Sequence, residues 1–227
     1  MTIAPYQRGL LFDCLDPDLA KELETSMVRI ELPRGRRVFV QGQSGDSLFV
    51  VRRGLVKLVH GTPSGRHRVL ALVGPGEVFG EASTFGVKVR DATARAVTET
   101  TVLELSQARL TRWLQDRPDV AWGLLRHVSR RLSQCRADAS ALLVADSPTR
   151  VAVCLLQLGA HLGVREPDGL HVAHGLTQVE LSELVGVARE TVNKVLREFT
   201  GRGWLEVRPG LIVIRDLPAL KDRAEPA

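Results

Sequence analysis

Residues 176–199 read LTQVELSELVGVARETVNKVLREF, and the punctuation of this stretch decides how the rest of the chain is read. Thr177 followed three residues later by Glu180 is a capping box. It predicts a helix from Gln178 through Leu181, Leu184 and Val185 that breaks near Gly186. A second helix follows, in which Val192, Val195, Leu196 and Phe199 fall at i, i+3, i+4 and i+7, while Arg189, Glu190, Asn193, Lys194 and Arg197 occupy the opposite face. Two helices joined by a short turn containing Gly, the second carrying Arg, Glu, Asn and Lys near its start, form the pattern of a helix-turn-helix whose second helix enters the major groove of DNA. An ordinary helical hairpin with a solvated charged face meets the same local pattern, so the surroundings must choose between them.

Downstream, residues 204–207 and 211–214 read as short strands about Arg208, Pro209 and Gly210, a wing beside the helices. Upstream, residues 149–159 form an apolar helix, and a Gly/Pro/Asp loop leads from it to Thr177. Before that helix, Asp146, Ser147 and Pro148 make a hinge, because a residue preceding proline is pushed out of helical geometry, and Ser147 is expected to cap the helix that follows. Residues 118–146 are helical in pattern, interrupted only by Gly123, and would span roughly 40 Å at 1.5 Å per residue. Along them Ala121, Leu125, Val128, Leu132, Cys135, Ala139 and Leu142 recur alternately four and three apart. That is a heptad seam, and it predicts a parallel homodimer through the same helix of a second copy; packing onto the chain's own N-terminal region is the alternative.

From residue 33 to 106 the character changes to short Val, Leu and Phe runs separated by glycines, which indicates an antiparallel roll or barrel. Its clearest hairpin joins residues 55–59 to 69–73. Residues 5–31 carry helical periodicity, with Asp16 and Pro17 suited to a helix start. The fold class is therefore α+β. An N-terminal β-roll sensor (1–117) leads into a dimerisation helix (118–146) and a winged helix-turn-helix (147–227).

The net charge of +5 favours an acidic partner, but residues 147–227 hold ten Lys+Arg and ten Asp+Glu, so the excess lies wholly on residues 1–146. DNA affinity must then rest on a local patch formed by Arg189, Lys194 and Arg197 rather than on the charge of its domain. Cys14, Cys135 and Cys154 are odd in number and lack ligand spacing, which excludes a disulfide framework. No apolar run has the length of a signal or a membrane span, and a cytoplasmic location is expected.

On the residues GVARETVNKVL, and in its order of roll, long helix and winged head, the chain resembles the cyclic-AMP receptor protein and FNR (CRP/FNR) superfamily of bacterial transcription regulators over almost its whole length. The run Arg189-Glu190-Thr191-Val192 is similar to members that read TGTGA-type half-sites. The resemblance implies that Arg189 donates to guanine, Glu190 accepts from cytosine N4, and Lys194 contacts guanine or phosphate. Asn193 shares their face, and Thr191, Thr177 and Gln178 would sit on phosphates. It also implies a homodimer on a pseudo-palindromic operator, and RNA polymerase as a partner in activation or repression. For the roll it implies a pocket for cyclic AMP or another cyclic nucleotide, with Gly80, Glu81 and Ala82 at the phosphate and ribose and Arg90 gripping the cyclic phosphate. Three positions depart from the family pattern. Asp91 follows the arginine, where its carboxylate competes for the guanidinium, and Cys135 and Arg136 stand where the long helix would offer Thr and Ser.

Other switches and classes are weighed by their ligands. An iron–sulfur cluster needs four cysteines and the chain has three. His60 and His67 are haem-ligand candidates by position only, and no metal site is indicated. Cys135 on the seam offers a thiol-redox route, and ligand-independent control stays open. An enzyme would have to use GPGEVFGE (74–81) as a phosphate cradle with Glu81 as base, but the segment is neither GxGxxG nor GxxxxGK[ST], so no catalysis is expected. A cyclic-nucleotide-binding regulatory subunit would explain the roll and leave the helix-turn-helix idle.

Overall fold

A computed structural model describes residues 15–61, 67–86, 88–115 and 145–225, together with 117, 118, 120–122, 125, 126, 129 and 133. Those up to 133 belong to one compact unit and those from 145 to another.

The first unit opens with helix α1 (Pro17–Ser26). Asp16 caps it, accepting from the amides of Asp18 and Leu19 at 3.1 and 2.9 Å, and Pro17 stands in the first turn. The helical periodicity expected to residue 31 ends earlier: Val28–Leu32 is strand β1, held by its ladder to residues 100–104. Strands β2 (Arg37–Phe39), β3 (Ser47–Arg53), β4 (Val56–Gly61), β5 (His67–Val73), β6 (Val78–Phe79), β7 (Thr93–Ala96) and β8 (Thr100–Ser106) complete the roll, with the short helix α2 (Glu81–Phe85) after β6 and α3 (Gln107–Gln115) after β8. They form two antiparallel sheets, β1-β8-β3-β6 and β2-β7-β4-β5. The expected hairpin is β4–β5, with Val56 opposite Val73 and Val59 opposite Val69.

Strand β3 is buried on both faces from Ser47 to Val51, and its two-residue alternation divides the core in two. Phe49 and Val51 point between the sheets, where they meet Phe39, Val56, Val73, Phe79, Ala94 and Val102. Leu48 and Val50 point the other way, onto Leu23 and Met27 of α1, Leu103 and Leu105 of β8, and Leu110 of α3. Of the residues between 118 and 133, those assigned to an element are helical. In the expected seam only Ala121 and Leu125 fall within the described set; Val128, Leu132, Cys135, Ala139 and Leu142 lie outside it, as does Arg136.

The second unit consists of α4 (Ser147–Leu162), β9 (Gly163–Glu166), β10 (Gly169–Val172), α5 (Gln178–Val185), α6 (Arg189–Gly201), β11 (Leu205–Arg208), β12 (Leu211–Ile214) and α7 (Leu217–Ala224). One expectation is corrected here. The Gly/Pro/Asp loop contains a hairpin, β9–β10, and β10 pairs with β12, so the wing belongs to a four-stranded sheet of order β11-β12-β10-β9. The cap expected at Ser147 falls one residue earlier: Ser147 is the first residue of α4, and Asp146 caps it because its carboxylate accepts from the Thr149 amide at 2.8 Å and its hydroxyl at 2.6 Å. Arg223 of α7 closes over the same point, donating to Thr149 Oγ1 and Asp146 Oδ2, both at 2.5 Å. These bonds, led by those from Thr149, draw the Asp146 carboxyl down to about 2.

Candidate nucleic-acid interface and effector cradle

Both partners of the capping box are in place. Thr177 Oγ1 accepts from the Glu180 amide at 3.2 Å, and Glu180 Oε2 accepts from the Thr177 amide at 2.9 Å. Gly186 ends α5 at φ 74°, in the left-handed region where a side chain is strained, and its amide donates to the Ser182 carbonyl at 2.9 Å. Three residues later α6 begins. Its inner face, Val192, Val195, Leu196 and Phe199, is at most 4% exposed. Phe199 lies against Trp204, with ring centroids 5.2 Å apart, which ties the helix to the start of β11.

The outer face carries Arg189, Glu190, Lys194 and Arg197, all exposed, with Thr191 and Asn193 half-buried. At its amino end Ala188 supplies no side-chain cap to the first amides of the helix. Thr177 is exposed but its hydroxyl already serves the cap, and Gln178 is half-buried with Oε1 making no hydrogen bond among the described residues. The turn between β11 and β12 passes through exposed Pro209 and Gly210. Beside it Arg208 donates to Glu206 at 2.6 Å, and Arg215 from the far end of β12 donates to the same carboxylate. Arg215 first, then Arg208, holds the Glu206 carboxyl at about 2.

In the roll, the structure brings Gly80 and Arg90 together. Arg90 Nη1 donates to the Gly80 carbonyl at 2.9 Å and to Ser83 Oγ at 2.7 Å, and its guanidinium lies 4.2 Å from the centre of the Phe39 ring. Two glycines make room for it. A Cβ on Gly45 would stand 2.1 Å from Arg90 Nε, and one on Gly80 would stand 2.7 Å from Nη1. Arg90 is 5% exposed, and Nε is buried without a hydrogen-bond partner among the described residues. Burial lowers its pKa, opposed chiefly by Asp46 and then by Glu104, Asp91 and Glu81.

Glu81 and Ala82 are exposed at the start of α2, and Asp91 is exposed beside Arg90. Among the described residues no ion pair joins Asp91 to Arg90; the Gly80 carbonyl and Ser83 take Nη1 instead. Ser83, Phe39 and Gly45 are members of this cradle that sequence reasoning missed. Ser83 carries a local hint, three residues past Gly80, whereas Phe39 arrives from β2 and Gly45 from the segment between β2 and β3. Cys135 and Arg136 lie outside the described residues. His60 Nδ1 lies 3.0 Å from the Asp91 carbonyl, and the side chain of His67 is outside the described set.

Residues 29–117 match the cyclic nucleotide-binding domain family and residues 149–223 the Crp-like helix-turn-helix domain family. A CRP-like cAMP-activated global transcriptional regulator of Mycobacterium tuberculosis is 37% identical over 217 residues, covering 96% of this chain and 97% of that protein. The chain belongs to the CRP/FNR family of transcription regulators. A cyclic AMP receptor protein of Thermus thermophilus is 33% identical over 214 residues, which is 94% of this chain and 96% of that one. The crystal structure of a CRP-family transcriptional regulator from Thermus thermophilus superposes with a TM-score of 0.72 at 26% identity, covering 86% of this chain and 96% of the other. In this CRP/FNR chain the cradle therefore lies in a cyclic nucleotide-binding domain, and the exposed face of α6 in a Crp-like helix-turn-helix.

Proposed function

We propose that this CRP/FNR regulator is a cytoplasmic homodimer that binds a pseudo-palindromic, TGTGA-like operator and acts there on RNA polymerase. In this reading residues 1–117 sense, 118–146 dimerise and 147–227 read DNA. The observation that carries it is the division of α6 into a buried apolar face and an exposed face of Arg189, Glu190, Lys194 and Arg197 at an amino end without a side-chain cap. Arg189 supplies the donor fork that suits guanine O6 and N7, Glu190 the acceptor that suits cytosine N4, and Lys194 a cation for guanine or phosphate. Thr191, Thr177 and Gln178 flank them toward the backbone, and Asn193 completes the face.

Dimerisation is supported by apolar surface without cover in the single chain. Trp122 and Leu125, three residues apart on a helical segment, are 65% and 59% exposed. The remaining seam positions, Val128, Leu132, Cys135, Ala139 and Leu142, extend the same heptad in sequence. The test is a binding titration across operator variants. Arg189→Ala is expected to erase discrimination at one G·C pair per half-site, worth about 1–3 kcal/mol. Unchanged selectivity would sink the assignment.

The effector reading is an anionic nucleotide, cyclic AMP first, at Gly80, Glu81, Ala82 and Arg90, with Asp91 at the rim and Cys135 and Arg136 completing the pocket. A buried guanidinium with one nitrogen still unbonded supports an anion, and the activation by cyclic AMP named for the Mycobacterium relative points to the same class. Operator affinity measured with and without saturating cyclic AMP decides it. A rise supports the nucleotide, and no change retires it.

A further inference from the structure

The cations of the reading head fall into two sets. On the outer face of α6, Arg189, Lys194 and Arg197 have no carboxylate within ion-pair distance among the described residues. Beyond that face the arginines are matched: Arg202 donates to Glu198 at 2.8 Å, Arg208 to Glu206 at 2.6 Å, Arg215 to the same Glu206, and Arg223 to Asp146. The wing is the extreme case, because there one carboxylate serves two guanidinium groups. Glu206 Oε1 accepts from Arg208 Nε, while Oε2 accepts from Arg215 at Nε, 3.2 Å away, and at Nη2.

The two arginines are not held equally. Arg215 has a second anchor at the β9–β10 turn, where Asp168 Oδ2 lies 3.6 Å from Nη2 and the Asp168 carbonyl accepts from Nη1 at 3.3 Å. Arg208 is held by Glu206 alone among the described residues, and it is exposed beside the wing turn at Pro209 and Gly210. Its strand starts next to the reading helix, since Trp204 lies against Phe199. A free arginine at such a place would attach to phosphate at any sequence, and that attachment supplies nearly all of non-specific DNA binding. A guanidinium already bonded to a carboxylate has its charge offset, and the carboxylate itself repels phosphate.

We propose that Glu206 is a specificity-determining residue of the reading head: by holding Arg208 it restrains the wing from gripping phosphate at any sequence, so that base contacts from α6 decide where the head stays. The inference rests on the reading of the chain as a DNA-binding regulator. It also gives the balance of ten basic and ten acidic side chains in residues 147–227 a use, since the carboxylate at the wing offsets cations that carry no sequence information and leaves Arg189, Lys194 and Arg197 unopposed.

A TGTGA-type palindromic duplex and a scrambled duplex of the same length and composition test it, each titrated over a range of salt in saturating cyclic AMP. The full-length wild type is compared with E206Q, E206Q/R208Q and E166Q, each shown to be folded by its thermal transition. Glu166 is an exposed carboxylate on β9, at the opposite edge of the same sheet, without an ion pair among the described residues, so E166Q makes the same change in charge and frees no arginine. E206Q is expected to bind the scrambled duplex about fivefold more tightly, the order of one ion pair in water, with a log–log salt slope steeper by about 0.9. Its gain on the palindrome is expected to be no larger, so that discrimination does not improve. E206Q/R208Q is expected to return to the wild-type affinity and slope, and E166Q to match the wild type. Scrambled-duplex affinity unchanged in E206Q overturns the proposal, and weaker binding overturns it by making Glu206 a residue that aims Arg208 at phosphate. An equal gain in E166Q would reduce the effect to net charge, a gain kept in E206Q/R208Q would clear Arg208, and a larger gain on the palindrome would reverse the claim about specificity; each overturns it. If the folded wild type does not prefer the palindrome, the DNA-regulator reading falls first and takes this role of Glu206 with it.

Discussion

His174 is a single residue whose proton count bears on the reading head. It is 4% exposed, and its Nδ1 accepts from the Leu176 amide at 3.1 Å, just before the capping box. Burial lowers its pKa below the ordinary 6.5, so the folded ring stays neutral where the unfolded chain takes up a proton. Stability from this group is therefore complete above pH 6.5 and declines as pH falls below it, because the unfolded state then binds more protons. His161, also lowered by burial, acts in the same direction. The expected outcome is a lower melting temperature for the second unit at pH 5 than at pH 7, with part of that slope removed in His174→Asn, whose side-chain oxygen can still accept. A melting temperature independent of pH over this range would refute the assignment.

At the scale of elements, the helix-turn-helix shows which signals are local. Thr177, Glu180, Gly186 and the spacing from Val192 to Phe199 act within a few residues of themselves, so sequence and structure agree there within a residue. The β9–β10 hairpin is the opposite case. Gly163, Pro167, Asp168 and Gly169 look like a loop, and the four-residue strands between them are strands because Leu170 and Val172 pair with Ile214 and Ile212 of a distant strand. Helix α7 announces itself in Asp216 and Pro218, but two turns are too few to display a period. In the roll, Gly80 and Arg90 are legible as a pair, while the Phe39 ring under the guanidinium and the opening at Gly45 appear only when separate segments meet. Replacing Gly186, held at φ 74°, should cost in the order Asn, Ala, Val. Ala is expected to lose about 1 kcal/mol by thermal or urea unfolding. Equal stability of the wild type and Gly186→Val would remove the left-handed turn as a determinant.

For the whole molecule, two compact units imply two unfolding transitions rather than one. Scanning calorimetry can assign each by mass action, since a ligand at one hundred times its Kd adds about 2.7 kcal/mol to the unit that binds it. Operator DNA is expected to raise the transition of the second unit and a cyclic nucleotide that of the roll. If the two sites are linked, both together should raise them by more than the sum of their separate effects; strict additivity would mean that the sensor and the head do not communicate. The clasp at Asp146 adds an engineering consequence. Arg223 reaches back 77 residues to Asp146 and 74 to Thr149, so the chain's last helix secures the first turn of the unit to which it belongs. A protease cut or a stop codon near Leu217 would therefore be felt at the first turn of α4, and a purification tag is better carried at the other end of the polypeptide.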